Sequence, residues 1–361
     1  MNKSRSSNIE LLRIICMCFV IAGHVIMKYK NDNLGTVEYY ISNILRSFFM
    51  VAVNCFVIIS GYFGIKINIK KLIKISIQVS FYSIVIYLIT IFSGIHTINI
   101  KKDILILFPI ITKRYWYITI YFVLCLISPL LNIIVKNLNE IQFKYILSGA
   151  FILFYFLPTI NYAINAPTIT NDSGYGIINF ICLYFLGRYI RIYYRENKSK
   201  TFYASGFIIS SLLVFLTNHI LTLLLGFYFN SFISYDTIFC FISAFMLFMT
   251  FKKLNFTSNI INNLSKYALA AFIIHMHPTF FDYLFYNIFR IEKYFGIRYL
   301  MIILIIPIVV YSISWIIEYV RIRLFNEIEN KIIENIFNNK NILRVKELYN
   351  LDEERKEIEL V

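Results

Sequence analysis

Apolar positions along this chain fall into long unbroken blocks, separated by short polar stretches rich in Lys, Arg and Asn. Ten blocks approach the roughly 20 residues that a helix needs to cross the hydrocarbon core. They lie at about 9–27, 44–65, 75–94, 114–135, 145–163, 176–193, 203–225, 232–251, 266–289 and 299–320. The runs are continuous and do not alternate, so a transmembrane β-barrel is excluded. The pattern predicts an all-α, polytopic integral membrane protein of about ten transmembrane helices. From about Leu324 the pattern changes. Ile328, Ile332, Ile333 and Ile336 recur at helical spacing among Glu, Lys, Asn and Arg. That stretch predicts a cytoplasmic amphipathic helix and a charged tail, dividing the chain into a membrane domain (1–323) and a tail (324–361). No internal repeat is visible.

Composition sharpens this reading. Of 361 residues, 59% are apolar and 15% charged, against about 25% charged in an average globular chain. Mean hydropathy is +0.68. A water-soluble protein of this size has no core large enough for so much apolar surface, and disorder is excluded on the same grounds. With 12 Gly and 6 Cys, neither a collagen-like nor a disulfide scaffold fits. All six cysteines fall inside apolar runs without a CxxC pair and read as small buried hydrophobes. The first run is not a removable signal peptide, because no small-x-small cleavage site follows it and His24 lies in its interior.

An even number of spans puts both termini on one side, and positively charged loops mark the cytoplasmic side. With both termini inside, seventeen Lys and Arg precede the tail on inner segments and ten lie on outer ones. The chain is thus expected in the cell membrane with both termini cytoplasmic. Its net charge of +15 is mostly orientation charge, and no nucleic-acid partner is expected.

Ionisable groups inside a span are costly and point to function. The first run carries Glu10, Arg13 and His24. Arg13 and His24 are separated by three full turns plus about 20°, so they share a helical face about 16 Å apart. Glu10 sits one turn before Arg13, within pairing reach. A guanidinium fork suits phosphate or pyrophosphate, and an imidazole suits proton transfer near neutral pH. Together they fit an anionic donor that enters from the cytoplasm and reaches the His with its reactive end, as coenzyme A is shaped to do. A snorkelling Arg and a His bonded to a neighbouring helix account for the same residues.

The run Asn8-Ile-Glu-Leu-Leu-Arg13 followed by His24 resembles the opening signature of the acyltransferase 3 family of integral membrane acyltransferases. Further segments resemble that family in its order. They are Asn54 through Ser60-Gly61-Tyr62-Phe63, the basic stretch Lys66–Lys74, and Tyr115-Trp116-Tyr117 through Ser128-Pro129-Leu-Leu-Asn132. Tyr184-Phe-Leu-Gly187-Arg188 and Leu264-Ser265 through Phe272-Ile-Ile-His275 complete the set. The resemblance covers about residues 8–323. It departs at Phe272, where the family usually has Tyr, and at His277-Pro278, which follow His275 closely and leave the role of His275 open.

The resemblance implies transfer of an acyl group, most often acetyl, from acyl-coenzyme A to a hydroxyl of a surface polysaccharide or its precursor. Acetyl-CoA would be the donor and no metal is expected. His24 is the candidate base, with Glu10 orienting Arg13. Arg13 would hold coenzyme A phosphates with help from Lys70, Lys71, Lys74 and Arg188, although topology signals beside anionic lipid explain those four more simply. Ser60, Trp116 and His275 are candidate acceptor-site residues. Their plainer readings are a close helix contact at Ser60-Gly61, an aromatic anchor at the membrane interface for Trp116, and a packed or hydrogen-bonded imidazole for His275. His275 and His277, two residues apart, do not make a metal pair on a regular helix. A secondary transporter or exporter of a lipid-linked saccharide is the rival, and would show broken helices in both halves and a repeat. A homo-oligomer is compatible with the sequence.

Overall fold

The computed structural model describes residues 6–29 and 33–337, and every regular element among them is helical. In chain order these are α1 (Ser7–Tyr29), α2 (Val37–Phe49), α3 (Ala52–Phe63), α4 (Ile69–Phe92), α5 (Ile100–Asp103), α6 (Trp116–Asn137) and α7 (Glu140–Phe151). There follow α8 (Leu157–Ala163), α9 (Ile177–Ile192), α10 (Lys200–Leu225), α11 (Ile238–Lys252), α12 (Asn259–Leu264), α13 (Ala268–His275) and α14 (Gly296–Phe337).

Eight helical segments are long and apolar enough to cross a membrane. Three of them are composite, one being Ser231–Lys252, which joins a 3-10 turn at Ser231–Ile233 to α11. α2 and α3 together make Val37–Phe63, and α7 and α8 make Glu140–Ala163 through a π-helical turn at Ile152–Phe156. The remaining two apolar runs form shorter elements. The run at 176–193 becomes α9, 16 residues long. The run at 266–289 is not one helix, because α13 stops at His275 just before Pro278 and a π-helical turn follows at Tyr283–Ile288. Proline has no N–H to donate and blocks the preceding residue from helical backbone, which accounts for the stop. The wide apolar outer surface, with Phe92 86% and Leu224 76% exposed, suits lipid rather than water. The chain is a multi-pass membrane protein.

Short connections make successive spans antiparallel. We call the end of the bundle at which α1 begins proximal and the other end distal. α1 lies at the centre and packs against α2, α3, α11, α12, α13 and α14. Its first turn is tied down by Asn8, whose amide donates to the carbonyls of Phe251 (3.0 Å) and Leu254 (2.9 Å) at the end of α11.

α3 and α9 cross at backbone contact, which is why both carry glycine there. A Cβ at Gly187 would overlap Ile58 O and lie 2.6 Å from Tyr62 N, and a Cβ at Gly61 would overlap the carbonyl of Tyr184. Beside this crossing, Tyr184 OH donates to Asn132 Oδ1 (2.6 Å) and Asn132 Nδ2 donates to Ile65 O (2.8 Å). Ile65 N in turn donates to Tyr184 OH (3.1 Å). Two of the sequence motifs, those of Asn132 and Tyr184, thus meet with Ile65 in one closed hydrogen-bond ring. Gly187→Val is expected to separate α3 from α9, at a cost above the roughly 1–3 kcal/mol of ordinary overpacking because the obstacle is backbone. Detergent-solubilised Gly187→Val should melt well below the parent in a thermal unfolding assay. Equal melting would contradict the crossing.

α14 is 42 residues long, about 63 Å at 1.5 Å per residue, so it extends past a hydrocarbon core of about 30 Å. It runs through 323 and 324 without a break, so the amphipathic stretch continues the last span. Its proximal half holds a buried charge cluster. Glu318 accepts from Tyr82 OH (2.6 Å), Gln78 Nε2 (2.9 Å) and Arg321 Nε (2.7 Å), and Arg321 Nη1 also pairs with Glu329. The charged tail beyond Phe337, like Lys3, Arg5 and Lys30 of the orientation argument, lies outside the described residues.

Candidate active site

A cavity of about 1410 Å³ follows α1 through the bundle, reaching Ser6, Lys71, Arg191 and Arg321 at the proximal end and Trp116, Tyr175, Asn230 and Tyr235 at the distal end. Sites for a single small molecule usually occupy about 300–1,000 Å³. This one has room for two reactants approaching from opposite ends.

The proximal wall is basic. Arg13, Lys71, Lys74, Arg191, Lys266 and Arg321 line it, with Glu10 and Glu318 as its carboxylates. Arg13 Nε lies 3.8 Å from Glu10 Oε2. That separation gives Coulomb attraction without a hydrogen bond, and Arg13 Nε is buried with no hydrogen-bond partner. Arg191 donates to Tyr62 OH (3.0 Å), with its guanidinium 5.1 Å from the ring centre. Lys70 and Arg188 do not line the cavity. Arg188 instead lies against Gly64 and has a buried Nε without a partner.

His24 lines the cavity three turns farther along α1. Its Nδ1 is 3.0 Å from Nε2 of His275, and His275 Nδ1 is 2.5 Å from the carbonyl oxygen of Ala271. The proton positions follow from that chain. A carbonyl oxygen only accepts, so His275 carries its hydrogen on Nδ1 and offers the Nε2 lone pair. His24 must then carry its hydrogen on Nδ1 and donate it to His275. The Nε2 lone pair of His24 is left to the cavity. His275 is fully buried and sets the tautomer of His24 from behind. His277 faces elsewhere, with Nε2 2.9 Å from Ser83 O and Nδ1 3.0 Å from the Thr279 hydroxyl. The Phe281 ring meets His24 edge-on at 5.6 Å between centroids.

The distal wall is neutral and aromatic except for Arg46. Trp116, at the start of α6, lies 4.5 Å from the Tyr175 ring and 6.0 Å from the Tyr235 ring, and the two tyrosines are 5.0 Å apart. Two asparagines fix these loops. Asn54 Nδ2 donates to Tyr235 O (2.9 Å) and Asn179 Nδ2 donates to Gly174 O (2.9 Å), while Tyr235 N donates to Ser173 O (3.1 Å). Ser60 is on the wall nearer the proximal end, with its hydroxyl donated to Phe56 O (2.9 Å).

The structure therefore gathers Glu10, Arg13, His24, Ser60, Lys71, Lys74 and Trp116 around one cavity, with His275 behind His24. Sequence reading passes over Arg46, Lys266, Arg321, Tyr175 and Tyr235, whereas Arg191 belongs to a basic edge, with Arg188 and Arg195, that the sequence offers for the same phosphates. Arg46 carries a usable signal, since it falls inside the apolar run 44–65. The two tyrosines carry none among 28 in the chain. No group of three or more His, Cys, Asp or Glu positioned to hold a metal occurs among the described residues.

A model of the acyltransferase 3 family, described as an acyltransferase domain, matches residues 6–319. No curated protein and no solved structure matches the chain.

Proposed function

The chain belongs to the acyltransferase 3 family, and from that premise we propose that this membrane acyltransferase moves an acyl group, acetyl first among candidates, from acyl-coenzyme A to a carbohydrate hydroxyl. The observation that carries the reading is the His24 lone pair, placed by His275 between a basic end and an aromatic end of one cavity.

The donor occupies the proximal half. Its phosphates lie among Arg13, Lys71, Lys74 and Arg191, and its thioester reaches along α1 toward His24. The acceptor sugar enters from the distal half. His24 Nε2 takes the proton of the attacking hydroxyl, whose oxygen bonds to the thioester carbonyl carbon. The carbon–sulfur bond then breaks, and the departing thiolate recovers the proton from His24 Nε2. The products are an ester and free coenzyme A. While His24 is protonated, its Nδ1–H remains bonded to His275, so the imidazolium is held in place. Transfer needs no acyl-enzyme intermediate, and the Ser60 hydroxyl, donated to its own helix, is not placed as a nucleophile. With the proximal end cytoplasmic, as the loop charges favour, the donor comes from the cytoplasm and the ester forms toward the outer face.

Purified protein supplied with acetyl-coenzyme A and an acceptor glycan should release free thiol in step with ester formation. Arg13→Ala is expected to weaken donor binding about ten- to a hundredfold, the worth of a charge-assisted hydrogen bond of roughly 1.5–3 kcal/mol. Arg13→Lys should restore only part of it, because an ammonium lacks the planar fork. Calorimetric titration with acetyl-coenzyme A reads this directly. Unchanged affinity in Arg13→Ala would remove Arg13 from the donor site.

A further inference from the structure

Arg46 stands at the C-terminal turn of α2, within a membrane-spanning segment, and lines the distal half of the cavity. Its carbonyl accepts from Met50 N (3.1 Å), but its side chain makes no hydrogen bond or ion pair with any described residue. Arginines at this depth normally pair with a carboxylate or with backbone carbonyls, and two of the proximal end stand beside carboxylates. Arg321 is paired with Glu318 and Glu329, and Arg13 lies beside Glu10. The distal carboxylate next in sequence to the aromatic group, Asp236, accepts from Tyr162 OH at 3.0 and 3.2 Å instead. Arg46 is therefore a cation held at membrane depth, open to the cavity, with its counter-charge missing.

Its surroundings say what completes it. Arg46 lines the same cavity as Tyr235, which belongs to the aromatic group with Trp116 and Tyr175. Flat aromatic faces suit the C–H faces of a sugar ring, and the Ser231 and Ser234 side chains on the same wall offer hydroxyls. The Asn54 and Asn179 hydrogen bonds hold both aromatic loops in place before a ligand arrives. Gly174 is fixed as well, since its φ is +77° and an added Cβ would lie 2.7 Å from Asp236 N. A guanidinium beside such a platform selects ligands that carry an oxyanion next to the ring.

We infer that the acceptor is an acidic sugar unit, carrying a carboxylate or phosphate that Arg46 binds while the ring packs against Trp116, Tyr175 and Tyr235. This rests on the distal half being the acceptor site. It goes further in fixing the charge of the acceptor and the residue that reads it.

Trp116 provides the test. The chain has two tryptophans, and the second, Trp315, is on α14 away from the cavity. A Trp315→Phe protein in nanodiscs therefore reports the distal site by Trp116 emission, with no acyl donor present. It would be titrated with glucose, glucuronic acid, galacturonic acid, glucose 6-phosphate and inorganic phosphate. At least one acidic sugar should perturb Trp116 at about ten- to a hundredfold lower concentration than glucose, and the uronic acids against the phosphate ester tell which anion is preferred. Arg46→Gln should abolish that preference and Arg46→Lys should keep part of it. Equal response to glucose and to every acidic sugar, no response to any of them, a preference that survives in Arg46→Gln, or inorganic phosphate matching the acidic sugars would each overturn the inference. Because the titration involves no transfer, a failed mechanism at His24 leaves this result standing, and a neutral acceptor leaves His24 standing.

Discussion

Replacing His24 with alanine is expected to lower acyl transfer about 10²–10⁴-fold at saturating donor, with acetyl-coenzyme A affinity close to that of the parent. That range is what removal of a positioned general base costs. The two effects separate because His24 lies about three helical turns from Arg13, and in the proposed arrangement it meets the reacting end of the donor rather than its phosphates. His275 gives a second handle on the same step. It does not line the cavity, yet its Nε2 accepts from His24 Nδ1 at 3.0 Å. His275→Ala removes that acceptor and frees His24 to place its hydrogen on Nε2, where it no longer acts as a base. The loss should appear in kcat rather than in donor KM. His275→Gln, which keeps an acceptor oxygen, should retain more activity than His275→Ala. Equal loss in the two variants would reduce His275 to packing.

The second large effect concerns stability. Arg321 and Glu318 have side chains only 3% and 5% exposed, and Glu329 shares the same guanidinium. Removing one member of a buried ion cluster leaves its partners charged and unpaired, at a cost of about 3–5 kcal/mol. Arg321→Met should therefore lower the thermal midpoint sharply. It should also loosen the proximal mouth, because Glu318 and Arg321 both stand on the cavity wall. Arg323→Met is the matched control. Arg323 lies on the same helix with an exposed hydrogen bond to Tyr319, and surface changes of that kind usually stay within about 0.5 kcal/mol. Comparable melting of the two variants would show that the Glu318–Arg321–Glu329 cluster carries no net stability.

Much of this was legible in the residues, for identifiable reasons. Span positions could be read because lipid allows no unpaired backbone, so helices announce themselves as long apolar runs. Arg13 and His24 could be read because both lie on one helix, where spacing alone fixes their relation. The role of His275 was not legible. Its partner is 251 residues away, and only the stop of α13 before Pro278 aims its ring at α1. In three of the motifs that resemble the family, particular residues serve the packing of the bundle. Gly61 and Gly187 let α3 and α9 touch, and Asn132 with Tyr184 closes the ring around Ile65. Arg46 was passed over, although an arginine within an apolar run meets the same criterion that singles out Arg13. Arg321 was hidden by a span boundary set one residue too early.

The most direct measurement is mass spectrometry of the surface polysaccharide from cells that express either the parent chain or His24→Ala at equal membrane abundance. The account predicts polymer of unchanged sugar composition in both, with the mass of one acyl group per modified unit present in the first and absent in the second. An acylated polymer from His24→Ala cells, or loss of the whole polymer in place of its ester, would contradict it.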